Sequence, residues 1–406
     1  AAEQAVFAAG TDSFDVMTRA GTAVAEFLHA RWPEGKVQVL CGPGGNGGDG
    51  FVAAARLSRL WRKVDVFCAV DTASLTGDAA KAAALWEGEV HPLEAAIQAP
   101  HAIVLDALYG GGLSRPLGPC FRAEGTMTFA GLRPAHVLQP AAAYCGLVAA
   151  ADIGVPIQTT AFENSPNLWA PIMPRPGQAA YKHQRGHLKV VSGPASATGA
   201  ARLAATAGLR VGAGLVTVLS PPGAVATNAS HLTAVMLHAF NGADDLESAA
   251  TTAQVIVIGP AAGITPATRA NVEILLKSDA RVLLDADALT VFDSAPKSLF
   301  KRLRPDDIMT PHVGEFRRLF GDIGAPEGRV IVNTHATPWL ATAGSGDVLA
   351  GLIAGLMAQG MPTFEAAAMA TWLHGEAGRR VGAGLVSEDL ERQIPAILGA
   401  LHGEKS

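Results

Sequence analysis

The sequence predicts two α/β domains, each with a parallel β-sheet covered by helices. Short apolar segments alternate with Gly-rich turns and helical segments along most of the 406 residues, as in proteins that wind strands and helices in turn. Hydrophobic residues make up 49% of the chain and charged residues 17%, which is typical of a protein with a large packed core. A stretch rich in Pro, Asn and Thr, 156–177, interrupts this pattern, so we predict a linker there with a domain boundary near residue 165.

The N-terminal half begins its predicted sheet with an apolar strand at Lys36–Cys41. A Gly-rich turn, 42–50, follows this strand and leads into a predicted helix at Phe51–Leu60. Two further strands are predicted at Lys63–Val70 and Ala102–Asp106. The succession of strand, glycine turn, helix and strand indicates a parallel sheet.

The C-terminal half repeats this succession after the linker. The predicted strands are Leu188–Ser192, Leu215–Leu219, Val255–Gly259 and Val282–Asp285, and the predicted helices are Gly199–Val211 and Asp347–Gln359. In two places, after Pro119 and after Gly324, a β–α unit that the sheets need is missing. We therefore expect residues to be absent from the sequence at both points.

Charge and composition argue against several functional classes. The net charge of −5 and the lack of a Lys/Arg run argue against nucleic-acid binding. Apolar stretches are broken before 18 residues, and the N-terminus lacks a signal-peptide pattern, so neither a membrane span nor export is expected. Four scattered cysteines without a CxxC pair favour reduced thiols in the cytoplasm over disulfides or a zinc site.

A glycine bend at residues 342–347 is the strongest candidate site. Gly344, Ser345 and Gly346 allow several backbone amides to converge at the start of an apolar helix, where the helix dipole favours an anion. Asp347 stands at that helix start, where its carboxylate can take a proton from a hydroxyl that attacks phosphorus. The simpler alternative is an Asp that only caps the helix.

A second glycine-rich segment, 42–50, follows the first predicted strand. Its glycines allow backbone amides to approach a phosphate. The segment has neither the Rossmann GxGxxG register nor the GK[ST] ending of a P-loop, so a dinucleotide oxidoreductase or a P-loop nucleotidase fits poorly.

Several isolated polar residues have two possible roles each. Asp106 ends a strand, where it either serves a site or bonds to its own turn. His312 either contacts a ligand or caps a helix near Glu315. Asp285 and Asp287 end a strand, and either a metal-binding or a structural role is open to them.

The C-terminal motifs, in order, closely resemble the dehydratase domain of the NAD(P)H-hydrate repair enzymes, which is ribokinase-like. The motifs are KHQRGH at 182–187, GAA at 199–201, VGAGLVT at 211–217, GPAAG at 259–263, DADAL at 285–289, TPHVGE at 310–315 and TAGSGD at 342–347.

The resemblance implies that a nucleotide phosphorylates the hydroxyl of a hydrated nicotinamide ring and that phosphate then leaves to restore the double bond. Asp347 would be the catalytic base, and the nucleotide, ADP or else ATP, is expected to bring magnesium. The nucleotide phosphates would bind Gly344, Ser345 and Gly346, and the hydrate would contact Ala200, Gly263 and His312. The family's Lys-Gly loop for the adenine nucleotide is missing and would fall in the second suspected gap.

The N-terminal half resembles the epimerase domain of the same family, which is Rossmann-like with three α/β/α layers. The resemblance implies that Asn46 and Asp106 bind a potassium ion and that Asp106 is catalytic at the ring. The substrate phosphate would contact Gly45, Asn46, Gly47, Gly48, Asp49, Gly110, Gly111, Gly112, Leu113, Ser114, Arg115 and Pro116. Gly45 stands where the family usually has Asn, and the family's Asp-containing strand with its Ser-Gly turn is missing.

The resemblance covers nearly the whole chain and implies a bifunctional metabolite-repair enzyme, with an epimerase domain at 1–164 and a dehydratase domain at 165–406. It would act on hydrated NADH and NADPH, and we expect it to form a homo-oligomer. Two alternatives remain open. The C-terminal domain could be a vitamin or sugar kinase, and the N-terminal domain could be only a binding or oligomerisation module.

Overall fold

The computed structural model describes residues 2–98, 103–110, 121–321 and 328–403. The chain divides into two compact units, Ala1–Thr159 and Thr160–Ser406, which we call the first and second units. Both units contain parallel sheets, as the alternation of strands and helices predicts.

The first unit contains a four-stranded parallel sheet and a separate pair of strands. Its strands are β1 (Val37–Cys41), β2 (Val64–Cys68), β3 (Val90–Pro92), β4 (Ile103–Ala107), β5 (Gly125–Phe129) and β6 (Leu147–Ala151). Its helices are α1 (Ala2–Ala8), α2 (Ser13–Arg31), α3 (Gly45–Arg59), α4 (Gly77–Ala83) and α5 (Pro134–Val137). The sheet order is β3–β2–β1–β4, while β5 pairs in parallel only with β6 among the described strands.

Helix α3 packs closely on β1 and β4 because it presents glycine to them. A Cβ on Gly50 would lie 2.8 Å from the Cβ of Ala107 and 3.0 Å from the Sγ of Cys41. This close contact brings the start of α3 to the edge of the sheet where the parallel strands β1 and β4 end, which is where ligands bind in such sheets.

The second unit contains a six-stranded parallel sheet and a separate pair of strands. Its strands are β7 (Ala161–Glu163), β8 (His187–Val191), β9 (Leu215–Ser220), β10 (Met236–Ala239), β11 (Val255–Ile258), β12 (Arg281–Leu284), β13 (Ile308–Met309) and β14 (Val330–Val332). Its helices are α6 (Gly199–Arg210), α7 (Val225–Ala229), α8 (Ala243–Ala250), α9 (Pro266–Leu275), α10 (Asp287–Thr290), α11 (Pro296–Phe300), α12 (Val313–Phe320), α13 (Ser345–Ala358), α14 (Thr363–Val381) and α15 (Ser387–His402).

The main sheet of the second unit is covered on both faces, in the order β10–β9–β8–β11–β12–β13. Val190 and Val257 face a core built with α6, α13, α14 and α15, whereas Val191 and Ile258 face a second core built with α8 and α9. Strand β11 is fully buried and entirely apolar, as central parallel strands are when helices cover both faces. The second unit is therefore a three-layer α/β/α structure.

The predicted strands agree with the observed ones to within about two residues at each end. One helix differs: α3 begins at Gly45, six residues before the predicted start at Phe51. Within the described ranges, no helix is both long enough and apolar enough to span a bilayer.

Candidate active sites

The loops that follow β8, β11, β12 and β13 meet at one edge of the six-stranded sheet, because the carboxyl ends of parallel strands share an edge. A Cβ on Gly193 would lie 2.0 Å from the carbonyl oxygen of Ala261, and a Cβ on Gly259 would lie 1.7 Å from that of Asp285. Ala261 and Ala286 adopt positive φ angles of 53° and 45°, which are unfavourable for residues with a side chain. Unfavourable backbone conformations of this kind cluster at functional sites.

The 342–347 bend leads into α13 at the same side of the molecule as the start of α6. Gly344 is left-handed with φ 86°, and a Cβ there would lie 2.7 Å from the Cδ1 of Leu203 in α6. No side chain caps α13, and Gly346 has no heavy atom within 4 Å of its missing Cβ. The amide of Ser345 bonds to the carbonyl oxygen of Thr342 at 3.4 Å, which leaves the amides of Gly346 and Asp347 to an anion. The positive end of the helix dipole favours one.

Asp347 lies in the first turn of α13 and is partly buried. Burial raises the pKa of its carboxyl group to about 6. A carboxylate with this pKa is mostly ionised at neutral pH but is a stronger base than an exposed aspartate. Its position and basicity suit the predicted proton acceptor.

Asp285 follows β12 and is only 8% exposed. Its Oδ1 accepts a hydrogen bond from the hydroxyl of Thr310 at 2.8 Å. Burial is the main cause that raises the pKa of Asp285 to about 7, and the nearby charges of Asp347 and Glu315 raise it further, while the Thr310 hydroxyl opposes the rise. The carboxyl groups of Asp285, Asp347 and Glu315 thus lie close enough to interact at this edge of the sheet.

His312 caps α12, as the simpler sequence interpretation allowed. Its Nδ1 accepts hydrogen bonds from the amides of Gly314 at 2.9 Å and Glu315 at 3.4 Å, and Glu315 bonds back to the His312 amide at 2.9 Å. The side chain is nevertheless 67% exposed, with Nε2 3.2 Å from Glu315 Oε1. The cap fixes the ring and leaves one edge of it open to a ligand.

Gly263 lies in the loop after β11, and Ala200 lies in the first turn of α6. The amide of Gly263, with φ 84°, donates to Oδ2 of Asp287 at 2.8 Å, so Asp287 holds the loop that contains Gly263. This contact gives Asp287 a structural role, one of the two that the sequence left open. Among the residues that the structure covers, no group of three or more His, Cys, Asp or Glu side chains is placed to hold a metal ion.

Two side chains that hold the 342–347 bend were not predicted. Ser387, at the start of α15, donates to the carbonyl oxygen of Ala343 at 2.6 Å. His374, in α14, contacts Ser345 through its Nε2. His374 is 29 residues from Ser345 in sequence, and Ser387 is 44 residues from Ala343. Both lie within ordinary helical patterns, so no local signal marks them.

In the first unit, residues Gly45–Asp49 form the first turns of α3 instead of the predicted turn. The glycines serve close packing: a Cβ on Gly47 would lie 1.8 Å from the carbonyl oxygen of Gly42, and one on Gly48 would lie 2.6 Å from the Sδ of Met17. The prediction treated glycine density as a sign of irregular backbone, whereas here it permits a helix to pack at very short range. An uncapped helix start still offers amides to a phosphate.

Asn46 and Asp106 bond to neighbouring residues of the loop after β4. Nδ2 of Asn46 donates to the carbonyl oxygen of Tyr109 at 3.1 Å, and Oδ1 of Asp106 accepts from the amide of Leu108 at 3.0 Å. A Cβ on Gly110 would lie 3.3 Å from the Cβ of Asn46. The start of α3 and the loop at 108–110 therefore form one surface. The Asp106 carboxylate is exposed beside it and holds its own turn.

Asp49 is the most perturbed acid of this segment. Burial, and then the charge of Glu3, raise the pKa of its carboxyl group to about 7.

The rest of the predicted phosphate contact lies outside the described residues, namely Gly111, Gly112, Leu113, Ser114, Arg115 and Pro116. The two suspected gaps also fall at undescribed segments, 111–120 and 322–327.

Both units match family models. A model described as NAD(P)H-hydrate dehydratase matches residues 188–325 and 322–395, in two segments that meet at the second suspected gap. A model described as YjeF-related protein N-terminus matches residues 13–127.

The chain is also similar to solved structures in its second unit. A ribokinase-like superfamily protein from Enterococcus faecalis is 22% identical, with a TM-score of 0.54, over 60% of this chain and 98% of that one. An ADP/ATP-dependent NAD(P)H-hydrate dehydratase from Bacillus subtilis is 23% identical, with a TM-score of 0.50, over 59% of this chain and 98% of that one. These likenesses show that the second unit has the ribokinase-like fold.

Curated relatives align with nearly the whole chain. The bifunctional NAD(P)H-hydrate repair enzyme Nnr of Coxiella burnetii is 30% identical over 96% of this chain and 95% of its own length. The enzyme of the same name from Moorella thermoacetica is 29% identical over 97% of this chain and 93% of its own. The chain therefore belongs to the family of bifunctional NAD(P)H-hydrate repair enzymes.

Proposed function

We propose that this protein repairs hydrated NADH and NADPH by two activities. The epimerase domain, 1–164, would interconvert the R and S epimers of the hydrate, and the dehydratase domain, 165–406, would return the S epimer to NAD(P)H. The observation that carries this proposal is the open start of α13 beside a carboxylate of raised pKa, Asp347, in a chain that aligns end to end with bifunctional repair enzymes.

The dehydration begins with proton transfer to Asp347. Its carboxylate takes the proton of the ring hydroxyl while the hydroxyl oxygen attacks the terminal phosphorus of the nucleotide. The bond from that phosphorus to its bridging oxygen breaks, and AMP leaves from ADP, or ADP from ATP. The carbon–oxygen bond then breaks, and its electron pair leaves with phosphate. Loss of a proton from the adjacent ring carbon forms the double bond, so no atom is oxidised or reduced overall. Gly344, Ser345 and Gly346 would stabilise the transferring group through backbone amides.

ADP is the proposed nucleotide, with ATP as the alternative, and magnesium would accompany either. The Bacillus subtilis dehydratase named above was crystallised with ATP and Mg²⁺. Magnesium supplies positive charge that offsets the charge of the phosphate oxygens. Ala200, Gly263 and His312, at the same edge of the sheet as Asp285, are the proposed contacts to the hydrate.

The epimerase site is proposed at the joint surface of α3 and the loop at 108–110. The substrate phosphate would bind the start of α3, Gly45–Asp49, through the amides that precede Gly48, since the amide of Gly48 bonds to the carbonyl oxygen of Gly44. Asn46 and Asp106 carry a carbonyl and a carboxylate oxygen, and their side chains bond to the loop after β4 at Tyr109 and Leu108. Such hard oxygen donors suit a potassium ion. Asp106 would also act at the hydrated carbon beside the ring nitrogen.

The test is an assay of the purified protein on a mixture of R and S hydrates, with ADP and with ATP. Loss of both epimers with formation of NAD(P)H supports the proposal, and the rates with each nucleotide decide its preference. A stable phosphorylated product from a vitamin or sugar alcohol would instead indicate a kinase. Consumption of the S epimer alone would reduce the first unit to a binding or oligomerisation module.

Homo-oligomerisation and a cytoplasmic location are also part of the proposal. Cys41, Cys68 and Cys145 are free thiols in the structure, which suits a reducing compartment. Light scattering after size-exclusion chromatography would test assembly, and a single-chain mass would contradict it.

A further inference from the structure

Helix α14 supports the segment that leads into the 342–347 bend. A Cβ on Gly375 would lie 1.8 Å from the carbonyl oxygen of His335, and one on Gly378 would lie 2.8 Å from the Cδ2 of Leu340. Glu376 bonds to Nε2 of His335 at 2.7 Å. The approach to the bend is therefore held against one face of α14.

His374 extends this support to the bend itself. Its side chain is buried, and its Nε2 lies 3.0 Å from the carbonyl oxygen and 3.1 Å from the hydroxyl oxygen of Ser345. A carbonyl oxygen can only accept, so Nε2 carries the hydrogen and donates it to Ser345. Burial lowers the pKa of His374 to about 4, against a weaker opposing effect of this bond. The ring is consequently neutral at physiological pH.

The contact holds the part of the bend that directly precedes the anion-binding amides, whereas Ser387 holds the bend two residues earlier, at the carbonyl oxygen of Ala343. Ser345 is the first residue of α13, and the preceding Gly344 is left-handed and provides no side-chain cap. A donor held in the core at this point restrains the direction of the first turn of α13. Gly346 and Asp347 follow directly, so a change in that direction would displace both the anion-binding amides and the carboxylate.

We propose that His374 is a positioning residue for the dehydration, which holds Ser345 so that the first turn of α13 binds the nucleotide phosphates with Asp347 in place. The inference rests on the proposed function of the second unit. A histidine that served only the core would contribute stability without a selective effect on nucleotide binding.

Two substitutions separate these roles. His374→Leu retains most of the buried volume but removes the donor, whereas His374→Gln places an amide nitrogen close to the position of Nε2. Ala366→Gly, two turns earlier in α14 and also buried, is the matched control, because glycine destabilises the helix without a change in contact with the bend. Each protein is measured for ADP–Mg²⁺ binding by calorimetry, for kcat and nucleotide KM, and for Tm.

His374→Leu is expected to weaken ADP binding and lower kcat/KM for the nucleotide by about 10- to 100-fold, since small displacements of catalytic groups cost this much. His374→Gln should recover most of that loss. Ala366→Gly should lower Tm while ADP binding stays within about twofold, since no contact with the bend is lost. Unchanged ADP binding and kcat/KM in His374→Leu would overturn the inference, as would an equal loss in Ala366→Gly.

Because ADP binding is measured directly by calorimetry, the effect of His374 can be distinguished from a failure of the proposed function. If the unaltered protein binds ADP but does not dehydrate the hydrate, the proposed function is wrong, while the effect of His374 on the bend is still measured by binding. If His374→Leu does not fold, His374→Met takes its place, because methionine fills the site with a more adaptable side chain and also lacks the donor. Unchanged ADP binding in a folded His374→Met would overturn the inference.

Discussion

The side-chain amide of Asn46 donates a hydrogen bond to the carbonyl oxygen of Tyr109 at 3.1 Å. This bond joins the first turn of α3 to the loop after β4, which are 63 residues apart. It ties Asn46, which belongs to the proposed phosphate contact, to the loop that follows Asp106, the other proposed potassium ligand. Both proposals about the first unit can be tested through Asn46 and its neighbour Asp106.

Asp106→Asn is expected to stop epimerisation and leave dehydration of the S epimer intact. The substitution removes a negative charge that would bind the cation and act at the ring, with a loss of about 10²-fold or more in rate. Asn46→Ala should raise the potassium concentration needed for half-maximal epimerisation. The measurement is the rate of R-to-S conversion across a potassium series, with sodium at constant ionic strength as the control. Full epimerase activity in Asp106→Asn would show that this assignment is wrong.

Asp347→Asn is expected to stop dehydration of the S epimer and leave epimerisation intact. Asparagine cannot accept the hydroxyl proton, so dehydration should fall about 10²- to 10⁴-fold, the usual contribution of a general base. Epimerisation in the first unit should be unaffected and provides the internal control. Production of NAD(P)H from the S epimer, with excess nucleotide, is the measurement. An unchanged rate would mean that another group accepts the proton.

The dehydration rate should depend on pH through Asp347. Because burial raises the pKa of this carboxyl group to about 6, it is protonated below that pH and cannot act as a base. We expect kcat to fall about tenfold per unit on the acid side of pH 6 and to level off above pH 7. A flat profile between pH 5 and 7 would contradict the role. An acid limb that shifts in Asp285→Asn would show the charge coupling between the two carboxyl groups.

Asp347→Asn should also stabilise the second unit at high pH. The folded protein retains the proton of Asp347 up to about pH 6, whereas the unfolded chain loses it near 3.8, so folding stability falls as pH rises through this interval. Asparagine removes that cost, which we place at roughly 1 kcal/mol, or about 2–4 °C in Tm, because the group is only partly buried. Thermal melts at pH 8 and pH 4 should show the gain at pH 8 and little difference at pH 4. An equal gain at both values would require another cause.

Gly47→Ala and Gly45→Ala form a matched pair for the close packing of α3. The added Cβ of Gly47→Ala would lie 1.8 Å from the backbone oxygen of Gly42, so a loss of about 1–3 kcal/mol or more is expected. The added Cβ of Gly45→Ala meets no atom within 4 Å, and alanine in a helix is favourable by roughly 0.5–1 kcal/mol. Chemical denaturation of the two variants would measure the difference. Similar stabilities would show that α3 does not approach Gly42 so closely.

The sequence by itself determined the architecture, and it marked two glycine-rich segments as candidate sites. Apolar strands and helices follow from local periodicity, so β11 and α13 were predicted within about two residues of their observed ends. The 342–347 bend and Asp347 are contiguous in sequence, so they can be proposed as a site from the sequence alone, and the role of Asp347 stays a prediction. The roles assigned through family resemblance, such as the potassium ligands Asn46 and Asp106, stay predictions.

Only the tertiary structure decided how distant residues act on these sites. The support of Ser345 by His374, the coupling of Asp285 to Asp347, and the joining of Asn46 to Tyr109 depend on residues that meet after the chain has folded. The start of α3 at Gly45 was missed for the same reason. Local propensity disfavours glycine in a helix, but close packing against Gly42 and Met17 requires it there.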